Sequence, residues 1–241
     1  MLLEVCVDSV ESAILAEKGG AKRIELCASL ELGGLTPSIG LMKQVMKHIQ
    51  IPVFCMLRPR SGDFCYSHYE TATMIADAEE LSKFGASGFV VGLLDQDRNV
   101  DVESCKRLIS EISGTHSFTF HRAFDYISAK HSLSDKLETV SKLGFSRVLT
   151  TGGIGNVSDN LDDLLHLNKL SQDYNLLILP GGGVNTSNVD VFKENGFTEI
   201  HASCSVFETD GDYGAVFNNP LPKGQRKVVS VKKVQDLCME S

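Results

Sequence analysis

Eight short apolar or β-branched runs spread over 241 residues, helix-patterned segments between them and an even composition along the chain predict an α/β fold. The specific expectation is a parallel, eight-stranded TIM (β/α)8 barrel forming a single domain over 1–241, since such barrels take about 250 residues. The strand signals lie near 3–7, 23–27, 53–58, 88–93, 117–122, 146–151, 176–180 and 198–202. An open doubly wound sheet is the competing arrangement. Its dinucleotide-binding mark, G-x-G-x-x-G, is absent after the first strand, where the chain runs Cys6-Val7-Asp8-Ser9, so no nucleotide cofactor is expected.

Each helix carries its own boundary signals. Asp8 and Glu11 have capping-box spacing ahead of Val10, Ala13, Ile14 and Leu15, and Gly19-Gly20 ends that helix. Thr36-Pro37 reads as an N-cap with proline at the first helical position, followed by Ile39, Met42, Val45, Met46 and Ile49 on one face. Helical patterning recurs over 68–84, 102–112, 132–143, 158–172 and 187–195. The stretch 208–227, with its Gly, Asn and Pro, reads as a long loop before a short C-terminal helix.

Composition narrows the function classes. A hydrophobic content of 42% with 22% charged residues is that of a water-soluble globular chain, and no apolar run reaches the roughly 20 residues that span a bilayer, so no membrane partner is expected. A formal charge of −8 argues against a nucleic-acid partner. The opening Met-Leu-Leu-Glu-Val-Cys-Val has no basic region or cleavage site, which predicts a cytoplasmic protein. Seven scattered cysteines without C-x-x-C or H-x-x-x-H read as reduced thiols, so any metal site has to be assembled by the fold.

Side chains alternate across a strand. If Leu3, Val5 and Val7 face the helices, then Glu4, Cys6 and Asp8 face the barrel axis, and the same parity turns Arg23, Glu25 and Cys27 inward. It also places Met56, Arg58, Thr119, His121, Thr150, His201 and Ser203 inside, and leaves Cys55 on the helix side. Charges in an interior that is normally aliphatic must pair or meet a ligand. A structural ion network of Glu4, Glu25 and Arg58 is one expectation. Catalytic or binding use at the C-terminal strand ends is the other.

Cys6 and Cys27 hold matching places in two Glu-x-Cys strands, so in equal register the thiols would lie about 4.8 Å apart. Soft thiolates in a pair select Cu(I). The alternative reading is that both are small buried fillers. Cys65 and Cys204 follow strands 3 and 8 and have no assigned role.

Gly181-Gly182-Gly183 after strand 7 and Thr151-Gly152-Gly153 after strand 6 are candidate anion-binding turns, the alternative being tight βα turning. Arg58, Arg60 and Asp63 add charge at the same end, and His121 with Asp125 closes strand 5.

These segments together resemble the CutC family. The matching blocks, in order, are Glu4-Val5-Cys6-Val7-Asp8-Ser9, Arg23-Ile24-Glu25-Leu26-Cys27, Gly33-Gly34-Leu35-Thr36-Pro37-Ser38, Arg58-Pro59-Arg60 with Gly62-Asp63-Phe64, Phe120-His121-Arg122-Ala123-Phe124-Asp125 and Arg147-Val148-Leu149-Thr150. The resemblance covers residues 2 to about 205. It implies a TIM-type barrel, a cytosolic homo-oligomer (dimer or tetramer) and a copper-homeostasis role with Cu(I) held by Cys6 and Cys27. Two functional expectations stand side by side. One is a Cu(I)-binding protein. The other is an enzyme on a small anionic or phosphorylated metabolite, with Glu4, Glu25 and His121 as acid and base and Arg58 as anion clamp. Arg60, Asp63, Asp125, Thr150, Gly181, Gly182, Gly183, His201 and Ser203 would then contact the ligand.

Overall fold

The structure is a computed structural model that describes residues 1–112, 114–209 and 225–240. Eight strands, β1 (Leu2–Val7), β2 (Arg23–Leu26), β3 (Val53–Met56), β4 (Gly88–Val91), β5 (Ser117–Phe120), β6 (Arg147–Thr150), β7 (Leu177–Pro180) and β8 (Glu199–Ala202), pair in parallel in the order β7-β6-β5-β4-β3-β2-β1-β8. A single bridge between Gly181 and His201 closes the remaining seam. This is the expected TIM barrel.

Around it run α1 (Val10–Gly19), α2 (Ile39–His48), α3 (His68–Lys83), α4 (Val102–Glu111), α5 (Leu133–Lys142), α6 (Leu161–Ser171) and α7 (Val189–Glu194). Two caps differ from the sequence reading. Ser9, not Asp8, caps α1 by accepting from the Ser12 amide at 3.1 Å, and Ser38, not Thr36, caps α2 by accepting from Leu41 at 3.1 Å. In both places the hydroxyl nearer the first helical residue reaches its third amide. The end of the chain also differs. β9 (Ser205–Thr209) and β10 (Gln225–Val229) form an antiparallel pair at the two ends of the expected loop, and the rest of that loop lies outside the described residues. α8 (Val231–Glu240) comes last and packs on α1, α7 and β1.

Strand alternation sorts the buried residues into two groups. Leu3, Val5, Val7, Ile24, Leu26 and Cys55 belong to the large apolar shell between sheet and helices. On the axis the only apolar cluster among the described residues is Cys27, Phe54, Met56 and Val90, and the other axial positions of β1, β2 and β8 carry Glu4, Cys6, Arg23, Glu25, Glu199 and His201. The barrel therefore has a polar interior, as the parity predicted. β6 is the exception: Leu149 lines the mouth, while Thr150, on the opposite parity, turns to Asp125.

Candidate functional site

The deepest axial layer is an ion network. Arg23 bridges the carboxylates of Glu4 and Glu199, and Arg147 donates to Glu199 at 2.8 Å. Both guanidinium groups lie over Phe54, at 4.9 and 5.3 Å from its ring centre. Burial alone would raise the Glu4 carboxyl, but Arg23 and His201 outweigh it and hold the group at about 2. The expected Glu4–Glu25–Arg58 network is thus replaced by Glu4–Arg23–Glu199–Arg147. Arg58 lies past the end of β3, too high to reach the carboxylates, and commits its guanidinium to the carbonyls of Leu32, Gly34 and Gly62 at 2.8, 3.2 and 3.2 Å.

Above that layer sit Cys6, Glu25 and His201, one ligand atom of each within 4.8 Å of the others. His201 Nδ1 lies 2.8 Å from Glu4 Oε1, which turns Nε2 toward Cys6 and Glu25. Burial disfavours the imidazolium, yet the Cys6 and Glu25 charges and the Glu4 hydrogen bond raise His201 well above its ordinary range. Burial also raises Glu25, assisted by Glu4 and opposed by His201.

The two cysteines do not share a level. Cys6 lies opposite Glu25 in the β1–β2 register, so Cys27 stands two residues higher, its amide donating to the Val7 carbonyl. Cys27 Sγ donates to Glu25 Oε2 at 3.5 Å and packs with Met56 and Phe54. Burial, with the Glu25 charge second to it, pushes its thiol well up. The sulfur–nitrogen–carboxylate grouping at Cys6 is what the register assembles instead of a level thiol pair. Sulfur and imidazole donors suit a soft monovalent cation better than a hard divalent one.

The cluster lies on the floor of a mouth cavity of about 930 Å³. Its polar wall carries Arg58, Arg98, Arg122 and His121 together with the acids Asp63 and Asp95, and Phe64, Met56, Leu94 and Leu149 supply apolar surface. His121 sits just past β5 at the start of a short 3-10 turn, Arg122–Tyr126, and its Nδ1 accepts from the Ala123 amide at 3.2 Å. Burial and then the charge of Arg58 lower its pKa to about 3, so the ring is neutral.

Several expected ligand contacts bind the protein's own groups. Asp125 accepts from the Thr150 hydroxyl, from Thr151 Oγ1 at 3.0 Å and from Arg122 Nε at 3.0 Å, latching the turn after β5 to the end of β6. Arg60 pairs with Glu70 and with Asp63 at 3.1 Å, tying the loop after β3 to α3; Asp63 itself reaches the cavity. In the turn after β7 the Gly181 amide donates to the Thr150 carbonyl at 3.1 Å, and a Cβ on Gly182 would lie 2.6 Å from Thr151 and 3.3 Å from Arg122. Ser203 is exposed and lines a smaller neighbouring pocket. Cys65 lines the mouth, whereas Cys204 is buried with its thiol raised to about 12 by burial.

Sequence reasoning assigned no role to Arg147, Glu199, Arg98 or Phe64. Arg147 and Glu199 had a legible signal, being charged residues at axial positions of β6 and β8. Arg98 and Phe64 come from loops, whose course no periodicity reports.

Fold and site define a parallel (β/α)8 barrel with its polar groups gathered at the C-terminal mouth. The chain belongs to the CutC family: the model of that family matches residues 1–206. A human copper homeostasis protein cutC homolog is 44% identical over 90% of this chain and 77% of its own length, and a Drosophila melanogaster homolog is 43% identical over 87% and 79%. The solved CutC structure from Streptococcus agalactiae superposes with a TM-score of 0.78 at 28% identity, covering 84% of this chain and 98% of that one. A deoxyribose phosphate aldolase from Aeropyrum pernix, at TM-score 0.62 and 12% identity over 83% of this chain and 85% of its own, shares the fold. No helix among the described residues is long and apolar enough to cross a membrane.

Proposed function

We propose that the protein handles copper by taking Cu(I) on the floor of the barrel mouth. Cys6 is the anchoring thiolate, His201 Nε2 the nitrogen donor and Glu25 the carboxylate beside them, with Cys27 a level above. The observation that carries this reading is the convergence of Cys6, Glu25 and His201 within 4.8 Å at the base of an open cavity. The copper-homeostasis names of the curated relatives agree with it. Glu4 would fix the imidazole from behind, as carboxylates do for metal-bound histidines.

Anaerobic Cu(I) titration against a chromogenic chelator tests the reading. One equivalent is expected to bind, Cys6→Ser to lose most of the affinity, and Glu4→Gln to weaken it on the order of 10- to 100-fold through misorientation of His201. If Cys6→Ser with Cys27→Ser competes for copper as well as the unaltered chain does, the site is elsewhere.

A further inference from the structure

Six of the seven thiols are held back as nucleophiles, since a thiol attacks as its thiolate. Cys27, Cys55, Cys105, Cys204 and Cys238 are raised chiefly by burial, and Cys65, at the mouth, is raised by burial and then by the charges of Asp63, Asp101 and Asp95. Cys6 has different company. It is half-buried and lines both the mouth cavity and a smaller pocket of about 120 Å³ walled in part by β10. Its sulfur also lies within 4.8 Å of a His201 ring nitrogen.

His201 Nδ1 donates to the Glu4 carboxylate at 2.8 Å, and Glu4 is fixed in turn by Arg23. In the neutral ring this leaves Nε2 as the acceptor, turned toward the Cys6 sulfur. A nucleophile, a base and a carboxylate that orients the base form the arrangement by which proteins activate a thiol. Attack on a carbonyl would also need amide donors for the developing oxyanion, and the nearby Cys27 amide is already given to the Val7 carbonyl. Cleavage of a disulfide needs only the attacking sulfur and a proton for the departing one. The other thiols stand too far away to finish such a reaction. Cys6 lies opposite Glu25, so strand spacing and rise put the Cys27 Cα about 8 Å away, beyond the roughly 7 Å that a disulfide spans. Cys204 belongs to the apolar shell outside the sheet.

We propose that Cys6 is a modification site that forms a mixed disulfide with small disulfides entering the barrel mouth, His201 carrying the proton. The Cys6 proton passes to His201 Nε2, and the sulfur attacks one sulfur of R–S–S–R. A Cys6–S–S–R bond forms, the original S–S bond breaks, and the departing sulfur takes the proton from Nε2 and leaves as R–SH. Cys6 is oxidised and one half of the small disulfide is reduced. With no second thiol in reach, the adduct persists until an external thiol removes it. The proposal concerns the metal-free chain and does not rest on copper binding.

The test is incubation of the reduced, metal-free full chain with bis(hydroxyethyl) disulfide and with glutathione disulfide, adducts being counted by intact mass and placed by peptide mapping. The first adduct is expected on Cys6, forming about 10-fold or more faster than any on Cys65, which shares the cavity but sits among carboxylates. His201→Gln should slow the Cys6 reaction by about 10-fold or more and leave the Cys65 rate unchanged, the latter reporting an intact mouth. Reduction should return the unmodified mass. Anaerobic Cu(I) titration of the same proteins reads the copper site separately, so either proposal can fail without the other. Reaction of Cys65 ahead of Cys6 in the unaltered chain, a Cys6–Cys27 disulfide, an unchanged Cys6 rate in His201→Gln, or no adduct at all overturns it.

Discussion

His121 is held neutral inside the barrel, and that has a consequence for acid stability. Its folded pKa is about 3 against an ordinary value of 6.5, so the unfolded chain takes the proton first. The contribution is complete above pH 6.5 and drains away as pH falls through the interval down to about 3, with a slope of up to about 1.4 kcal/mol per pH unit. Urea melts of the wild type and of His121→Phe between pH 7 and 5 should therefore converge at the acid end; a constant difference would count against a neutral ring. Arg23 is the other decisive residue. Replacing it with Met leaves Glu4 with His201 as its only charged partner and Glu199 with Arg147 alone, a change expected to cost about 3–5 kcal/mol and to lower the melting temperature by about 10 °C. At this scale the sequence was informative wherever strand parity alone decides: Glu4, Glu25 and His201 point where alternation puts them. It was uninformative for Arg58, whose partners are carbonyls of two loops.

Elements reach the site through close packing of backbone on side chain. Just past β4, a Cβ on Gly92 would lie 2.5 Å from His121 Nδ1, so the imidazole occupies space that only a glycine leaves open. Gly92→Ala should displace the ring and cost about 1–3 kcal/mol, with altered His121 imidazole shifts in an NMR spectrum; unchanged shifts would refute the packing argument. All eight strands were legible because parallel strands buried on both faces read as short apolar runs bounded by turns. Their mutual register was not. Nothing in Glu4-x-Cys6 and Glu25-x-Cys27 records that closure of the barrel staggers one strand by two residues against its neighbour, and that stagger brings Cys6 level with Glu25. Cap positions erred for a milder reason, since Asp8, Ser9, Thr36 and Ser38 all carry competent oxygens and the local dihedrals choose among them.

Across the whole molecule, the CutC match ends at residue 206, yet the fold makes use of the residues beyond it. β10 lies against α1, and α8 buries Val234 and Leu237 among α1, α7 and β1. Truncation before Val231 removes both side chains from the core and should cost about 3–6 kcal/mol, read as a lower calorimetric melting temperature with the barrel's far-UV signature retained at low temperature. Fold class was legible at this scale because eight regular alternations leave few other architectures, whereas the antiparallel β9–β10 pair was not, its strands flanking and overlapping a Gly-, Asn- and Pro-containing stretch that reads as loop. The seam between β7 and β8 links this scale back to the site. One bridge fastens it, and one of its two residues is His201, which also stands in the Cys6–Glu25 cluster. Retaining a guest there and keeping the cylinder shut draw on the same residue, its imidazole in the cluster and its backbone in the bridge, so occupancy and breathing form one coupled equilibrium. A tightly held guest acts as a rivet across the joint, slowing amide exchange along β7 and β8 before it slows exchange anywhere else.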